Sequence, residues 1–161
     1  MLHASIEMEG LSRRTYAQGS SGFRSVDHHW NKTIFVTTGV KVDIWDSTRN
    51  EPINSLSWGT DSVYSCKFNP SETDVFATTA SDRSICLYDL RMSAPLRKLI
   101  MQTKTNKIAW NPREAFNFTA ASEDSCCYSY DMRKMDAATC VHKDHVSAVM
   151  DIDYSPTGRV C

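Results

Sequence analysis

Cys86-Leu87-Tyr88-Asp89-Leu90-Arg91 is the stretch whose recurrence orders the chain. Its end returns in Tyr128-Ser129-Tyr130-Asp131-Met132-Arg133, with Tyr130-Asp131 standing 42 residues after Tyr88-Asp89. Val42-Asp43-Ile44-Trp45-Asp46 anticipates it, 43 residues earlier. The flanks recur too. Phe68-Asn69-Pro70, Trp110-Asn111-Pro112 and Tyr154-Ser155-Pro156 are spaced by 42 and 44 residues, and Ala80-Ser81-Asp82-Arg83-Ser84 matches Ala121-Ser122-Glu123-Asp124-Ser125. A period of about 40 to 45 residues means one supersecondary unit, repeated, that buries its apolar faces against its neighbours.

Each unit reads as short strands separated by turn signals. In the second, Val63–Phe68 is an inner strand, Asn69-Pro70-Ser71-Glu72-Thr73 a turn, Val75–Ala80 a second strand, Ser81-Asp82-Arg83-Ser84 a tight turn, 85–89 a third strand and 96–101 an outer one. The first unit gives Ile34–Thr38, a turn at Gly39, 42–45 alternating with period two, and an outer strand over 52–58, where proline at an edge is tolerated. The third gives 107–110, 116–122, 126–131 and 139–142; a fourth opens with a strand over 149–154 and the Ser155-Pro156-Thr157-Gly158 turn. No helical period of useful length intervenes, so the fold class is all-β. Residues 1–22, polar and ending in Gln18-Gly19-Ser20-Ser21-Gly22, read as a linker or entry segment.

The 161 residues are 41% hydrophobic and 23% charged, the balance of a globular domain. A net charge of −1 gives no global pull towards nucleic acid or an anionic membrane, and no apolar run approaches the roughly 18 residues of a membrane helix. The N-terminus lacks the basic and apolar regions of a signal peptide, so an intracellular protein is the expectation. Cys66, Cys86, Cys126, Cys127, Cys140 and Cys161 show no Cys-x-x-Cys pair; those at 66, 86 and 126 fall in expected strands as buried, reduced thiols.

A period of this length ending in an aromatic-Asp pair resembles the WD-repeat β-propeller blade. The expected architecture is an incomplete propeller over 23–161: blades at about 23–58, 63–101 and 107–142, and the start of the next over 145–161. Propellers close with about four to eight blades of four strands, so a fragment of a longer propeller is the favoured reading. The resemblance implies a polar set that fixes each blade. Asp82 and Asp124 match its turn aspartate, Trp45 its tryptophan (replaced by Tyr88 and Tyr130), Thr78 or Thr119 its hydroxyl, and His145 its opening histidine. Asp46, Asp89 and Asp131 are the strand-end aspartates.

At finer grain the chain resembles the Sof-type WD proteins of the small-subunit processome, known in animals as a cullin-4-associated factor. Val26-Asp27-His28-His29-Trp30, Val42-Asp43-Ile44-Trp45-Asp46, Ala80-Ser81-Asp82-Arg83 and Trp110-Asn111-Pro112-Arg113-Glu114-Ala115-Phe116 carry the likeness, with Asp144-His145-Val146-Ser147-Ala148-Val149 and Asp151 to Gly158. It implies a nucleolar, nuclear scaffold in maturation of small-subunit ribosomal RNA, whose partners are other processome proteins and pre-ribosomal RNA. It also implies a second role, as substrate receptor of a cullin-4 ubiquitin ligase that docks the ligase adaptor. A generic protein-interaction propeller is the third reading.

Two groups of candidate site residues follow. Tyr88-Asp89-Leu90-Arg91 and Tyr130-Asp131-Met132-Arg133 fit the aromatic-Asp-x-Arg box that resembles the adaptor-docking motif, with Arg91 and Arg133 reaching the rim; the alternative is that each arginine simply pairs with its neighbouring aspartate. Residues 91–107 hold Arg91, Arg97, Lys98, Lys104 and Lys107 without an acidic residue, and could contact phosphates or serve as charges that protect an edge strand. His28-His29 and Cys140-Val141-His142-Lys143-Asp144-His145 match no zinc spacing. No hydrolase, P-loop, metalloprotease or dinucleotide motif is present, so neither an enzyme, nor a cofactor, metal or small-molecule substrate is expected.

Overall fold

A computed structural model describes residues 4–6 and 14–16 by their backbone, and 22–57 and 62–160 in full. In chain order the strands are β1 (Ala4–Ile6), β2 (Arg14–Tyr16), β3 (Ser25–His28), β4 (Ile34–Thr38), β5 (Val42–Asp46), β6 (Asn54–Leu56), β7 (Val63–Phe68), β8 (Val75–Ala80), β9 (Ser84–Asp89), β10 (Pro95–Ile100), β11 (Thr105–Trp110), β12 (Asn117–Ser122), β13 (Cys127–Asp131) and β14 (Cys140–His142). β3 to β6, β7 to β10 and β11 to β14 form three four-stranded antiparallel meanders, and no helix occurs among the described residues. The chain is a partial WD-type propeller of three blades. β1 pairs with β2 inside the stretch expected to be a linker; the rest of that stretch, apart from Gly22, lies outside the described residues. So do Trp58, at the end of the outer strand expected for the first blade, and Gly59.

The middle strands show why this sequence makes blades. β8 (Val-Phe-Ala-Thr-Thr-Ala) and β9 (Ser-Ile-Cys-Leu-Tyr-Asp) are buried at every position. Small, β-branched and aromatic side chains suit a sheet covered on both faces. Outer β10 is exposed over most of its length and carries Arg97 and Lys98, the charges that discourage pairing with another chain. Successive blades bury their facing sides: Val36, Ile44 and Leu56 of the first meet Cys66, Phe76 and Tyr88 of the second. Ala77, Ile85 and Leu87 then meet Ile108, Phe118 and Tyr130 of the third.

One cross-strand aromatic pair recurs in every blade. Phe35 faces Trp45, Phe76 faces Tyr88 and Phe118 faces Tyr130, with ring centroids 6.0, 5.1 and 5.7 Å apart. Stacked pairs of this kind contribute about 0.5–1.5 kcal/mol beyond area burial. The repeat that ends in an aromatic-Asp pair is thus a repeat of packing.

A second recurring device joins blades. The backbone N–H groups of Ser71 and Glu72 both donate to Asn69 Oδ1 at 2.9 Å, while Asn69 Nδ2 reaches across to Ala115 O at 2.7 Å. Asn111 caps its own turn in the same way, through Arg113 N and Glu114 N. In the first blade His29 stands in this position. Its Nδ1 accepts from Asn31 N and Lys32 N, both at 3.0 Å, and its Nε2 donates to Thr73 O in the next blade. A histidine with the Nε2–H tautomer offers the same acceptor and donor as the asparagine amide.

The fourth unit differs from expectation. Residues 149–154 form no ladder; their one pairing is the bridge of Tyr154 with Val160. In each complete blade the inner strand pairs with the strand that follows it, and among the described residues no such strand pairs with 149–154. Ile152 is nevertheless buried against Ala109, Ala121 and Cys127, held by Val149 N donating to Ser122 O at 3.1 Å. Cysteine burial also shifts by one. Cys126 is only half-buried before β13, and it is Cys127 that enters the core; Cys66 and Cys86 are buried as expected, and Cys140 is exposed. These five thiols are free.

Candidate functional site

The two strand-end arginines occupy equivalent places in adjacent blades, just past β9 and β13. Arg91 Nε and Nη2 donate to the two carboxylate oxygens of Asp89 at 2.9 and 2.6 Å, and Arg133 does the same to Asp131 at 3.0 and 2.7 Å. In both, the arginine's backbone N–H also donates to that aspartate, at 2.9 and 2.8 Å. The bond from its arginine holds each carboxyl below the usual range. Planar, bidentate pairing fixes where a guanidinium points. It does not bury it: the side chains of Arg91 and Arg133 are 73% and 63% exposed. Their surroundings differ. Asp74 lies 3.8 Å from Arg91 Nε, whereas Arg133 lies 4.3 Å over the ring of Phe116. The first blade presents no arginine in this way, because Asp46 accepts from Thr48 N and Thr48 Oγ1. The backbone bond from Thr48 holds the Asp46 carboxyl low.

Exposed apolar side chains share this end of the blades. Trp30, 58% exposed and stacked on His29, lies in the β3–β4 turn; Met92 follows Arg91, and Ile53 precedes β6. Sequence reading gave none of these three a site role: Trp30 entered only within the Val26–Trp30 stretch that carries the family likeness, and Met92 and Ile53 lie in no motif. Their signal is tryptophan, methionine and arginine together at turns, the residue types that interfaces favour.

The five basic residues of 91–107 do not form one surface. Arg97 and Lys98 lie on outer β10, Lys104 precedes inner β11 and Lys107 lies within it. Lys98 donates to Asp82, Lys104 to Glu123 and Lys107 to Asp151, at 2.9, 2.9 and 2.6 Å. With Arg91 on Asp89, four of the five sit against carboxylates that are distant in sequence or adjacent at a strand end.

The polar set appears as fragments. Trp45 Nε1 donates to Thr37 Oγ1 at 2.9 Å inside the first blade, and Thr78 lies beside the Tyr88 hydroxyl in the second. The third breaks the series. Phe35, Phe76 and Phe118 are in register, so the position of Thr37 and Thr78 belongs to Ala120 and not to Thr119. A shift of one residue changes face. Tyr130 Oη accordingly donates to Met101 Sδ at 3.0 Å. Thr119 bonds Ser129 Oγ and Tyr154 Oη on the opposite face, and Ser129 meets His142 Nε2 at 3.3 Å. That network of Thr119, Ser129, His142 and Tyr154 was readable only through the register, not through any motif.

The turn aspartates serve their own hairpins. Asp82 Oδ1 accepts from Ser84 N at 3.1 Å, and Asp124 accepts from Cys126 N at 3.2 Å and Tyr128 Oη at 2.6 Å. Burial pushes both carboxyls up, but the hydroxyl and other donors outweigh it and hold them low. Arg83 and Ser125, each the residue after its turn aspartate, take left-handed φ of 64° and 65°, so these hairpins align at a spacing of 42 residues, one more than the match of Ala80–Ser84 with Ala121–Ser125 gives. His145 Nε2 lies 3.8 Å from Cys127 Sγ. No group of three or more candidate ligands for a metal ion occurs among the described residues.

Comparison with known proteins agrees with this arrangement. A family model described as a WD domain, G-beta repeat, matches residues 50–89. That span starts before β6, the outer strand of one blade, and ends with β9 of the next, so the sequence repeat is offset by one strand from the structural blade. The chain is 56% identical over 141 residues to DDB1- and CUL4-associated factor 13 of Danio rerio, covering 88% of this chain and 32% of that protein. It is 54% identical to the Homo sapiens protein of the same name over the same share of each. Protein SOF1 of Saccharomyces cerevisiae is 51% identical over 150 residues, 93% of this chain and 30% of its own length. The chain therefore spans about a third of the curated relatives it matches. Its three blades, its aromatic-Asp repeat and these identities together make it a partial chain of the Sof-type WD-repeat family.

Proposed function

We propose that the protein carrying this chain is a non-catalytic WD-repeat scaffold of the nucleolus that supports processing of small-subunit ribosomal RNA within the small-subunit processome. Identity of 51% with SOF1, over nearly the whole of this chain, is the observation that carries the reading. The geometry supports it. Strand-end and turn carboxylates are committed to arginine, lysine and backbone donors that define the blades, so the ends of the blades present side chains for binding. Affinity capture of the tagged protein from growing cells tests it. Enrichment of small-subunit rRNA precursors over large-subunit precursors is the expected result; equal recovery of both overturns the reading.

A second reading, as a receptor that docks a cullin-4 ligase adaptor, is favoured by one observation. Arg91 and Arg133 are oriented by bidentate bonds yet remain exposed, Arg91 next in sequence to the exposed Met92 and Arg133 over the ring of Phe116. The relatives named for DDB1 and CUL4 association share this part of the chain. An Arg91→Ala, Arg133→Ala double variant is expected to lose adaptor capture while keeping its rRNA precursors. Retention of the adaptor by the double variant rules out docking through these arginines.

A further inference from the structure

Inner strands β7 and β11 each carry an irregularity at the same place. Register shifts between Val63 and Ser65 in one, and between Thr105 and Lys107 in the other, which leaves Tyr64 and Asn106 as the extra residues. A bulge redirects the side chain it carries and gives up regular ladder pairing to do so. In the third blade the redirected side chain serves the fold: Asn106 Nδ2 donates to Val149 O at 3.0 Å and so ties down the next unit. Tyr64 has no such duty. It is half-buried, and its hydroxyl makes no hydrogen bond among the described residues. Two cations lie over its ring instead: the Arg24 guanidinium at 4.9 Å and Lys104 Nζ at 4.4 Å from the centroid. They come from the segments that lead into the neighbouring inner strands β3 and β11. Arg24 is exposed and has no carboxylate partner among the described residues, while Lys104 also donates to Glu123 at 2.9 Å. Three blades thus converge on one ring.

We propose that Arg24, Tyr64 and Lys104 form a contact site for single-stranded RNA at the end of the blades where the inner strands begin. The chemistry is phosphate neutralisation by two cations held at fixed places by an aromatic ring, with the free phenol as a third donor. The Arg24 guanidinium, exposed and without a carboxylate among the described residues, is open to an incoming phosphate, whereas Lys104, held by Glu123 as Lys98 is by Asp82, has to exchange that carboxylate for it. An aromatic side chain beside cations is also the composition of surfaces that track single strands without sequence readout. The choice of RNA as the polyanion rests on the ribosomal-RNA reading above. The geometry by itself offers a guanidinium, an ammonium and a phenol to an anion.

Fluorescence anisotropy of a labelled single-stranded oligouridylate, titrated with the chain across a salt series, tests the site. Arg24→Ala and Lys104→Ala are each expected to bind several-fold more weakly and to flatten the salt dependence by about 0.7 per lost phosphate contact. Tyr64→Phe should lose a smaller factor, and Arg24→Lys should restore most of the binding. Arg97→Ala, which removes an equal charge from outer β10, should bind as the unaltered chain does. A cooperative thermal transition in each variant shows that it is folded. Three results overturn the proposal: no RNA binding by the unaltered chain, losses at Arg24 or Lys104 no larger than at Arg97, or equal displacement by polyglutamate, which would mark an acidic protein as the partner. RNA binding through the triad without capture of rRNA precursors leaves the site standing and removes the processing role. Capture of precursors by a folded Arg24→Ala, Lys104→Ala variant at full yield does the reverse.

Discussion

Trp45 shows what a single side chain does in a blade. Its ring stacks on Phe35 and its Nε1 donates to Thr37, both wholly buried. A buried polar group stripped of its partner costs about 1–3 kcal/mol. Trp45→Phe should therefore lower stability by about 2–4 kcal/mol when cavity formation is added, measured by denaturant unfolding; a loss below 0.5 kcal/mol would show that the hydrogen bond and the volume are dispensable. The thiols separate by burial. Desolvation pushes Cys66 up to about 12, while Cys140 lies exposed on β14. Reagent reacts with thiolate, so among the described thiols Cys140 should be modified first at pH 8 and Cys66 only after unfolding. Equal rates by mass spectrometry would contradict the burial. At this scale the sequence disclosed the aromatic and aspartate positions because they recur. It did not disclose Thr119 against Ala120, or Cys126 against Cys127, because neighbouring strand residues face opposite ways and only the register tells which is inside.

Elements were more legible than side-chain contacts. β7, β8 and β4 have the bounds that the alternation of apolar and turn residues implies, the other expected strands of the three blades shift by a few residues at their ends, and β3, the inner strand of the first blade, was not singled out in the sequence. Ends depend on where hydrogen bonding stops, which composition does not fix. The strand expected over 149–154 failed for a different reason: a strand needs a partner, and period alone does not provide one. Turn chemistry was partly readable. Gly39 permits a close approach, since a Cβ there would lie 2.8 Å from Gly22 O, and Gly158 takes φ +82° beside Asn111 Oδ1. The clamp from turn to turn was not readable, because His29 looks unlike Asn69 and Asn111 until its tautomer and position are known. Asn69→Ala leaves two backbone donors and Ala115 O without their partner, and should destabilise by about 2–4 kcal/mol. His29→Asn, supplying the same acceptor and donor, should recover more stability than His29→Ala does. Equal destabilisation by Asn and Ala at position 29 would show that ring packing on Phe68, not the clamp, holds the first blade to the second.

Across the whole molecule, charge couples stability to acid. Asp82, Asp89, Asp124 and Asp131 all sit below the ordinary carboxylate range, held there by arginine, lysine, hydroxyl and backbone donors. A carboxyl lowered in the folded state contributes stability that is fully present above its unfolded pKa, about 3.9, and lost as pH falls through the folded value. The melting temperature should therefore hold between about pH 7 and 5 and fall below about pH 4. A melting temperature that stays level down to pH 3 would mean that the aspartates gain nothing from the fold. The same distribution explains why the local run of five positive charges was misleading as a surface: a stretch contiguous in sequence is divided between the outer edge of one blade and the inner strand of the next.

The measurement that tests the central claim most directly is sedimentation of the tagged protein from nuclear extract on a sucrose gradient, with RNA hybridisation across the fractions. Comigration with large particles that contain small-subunit rRNA precursors, abolished by ribonuclease, is the predicted result. A protein that stays in the light fractions with or without ribonuclease would contradict the scaffold reading and leave a propeller that binds partners elsewhere.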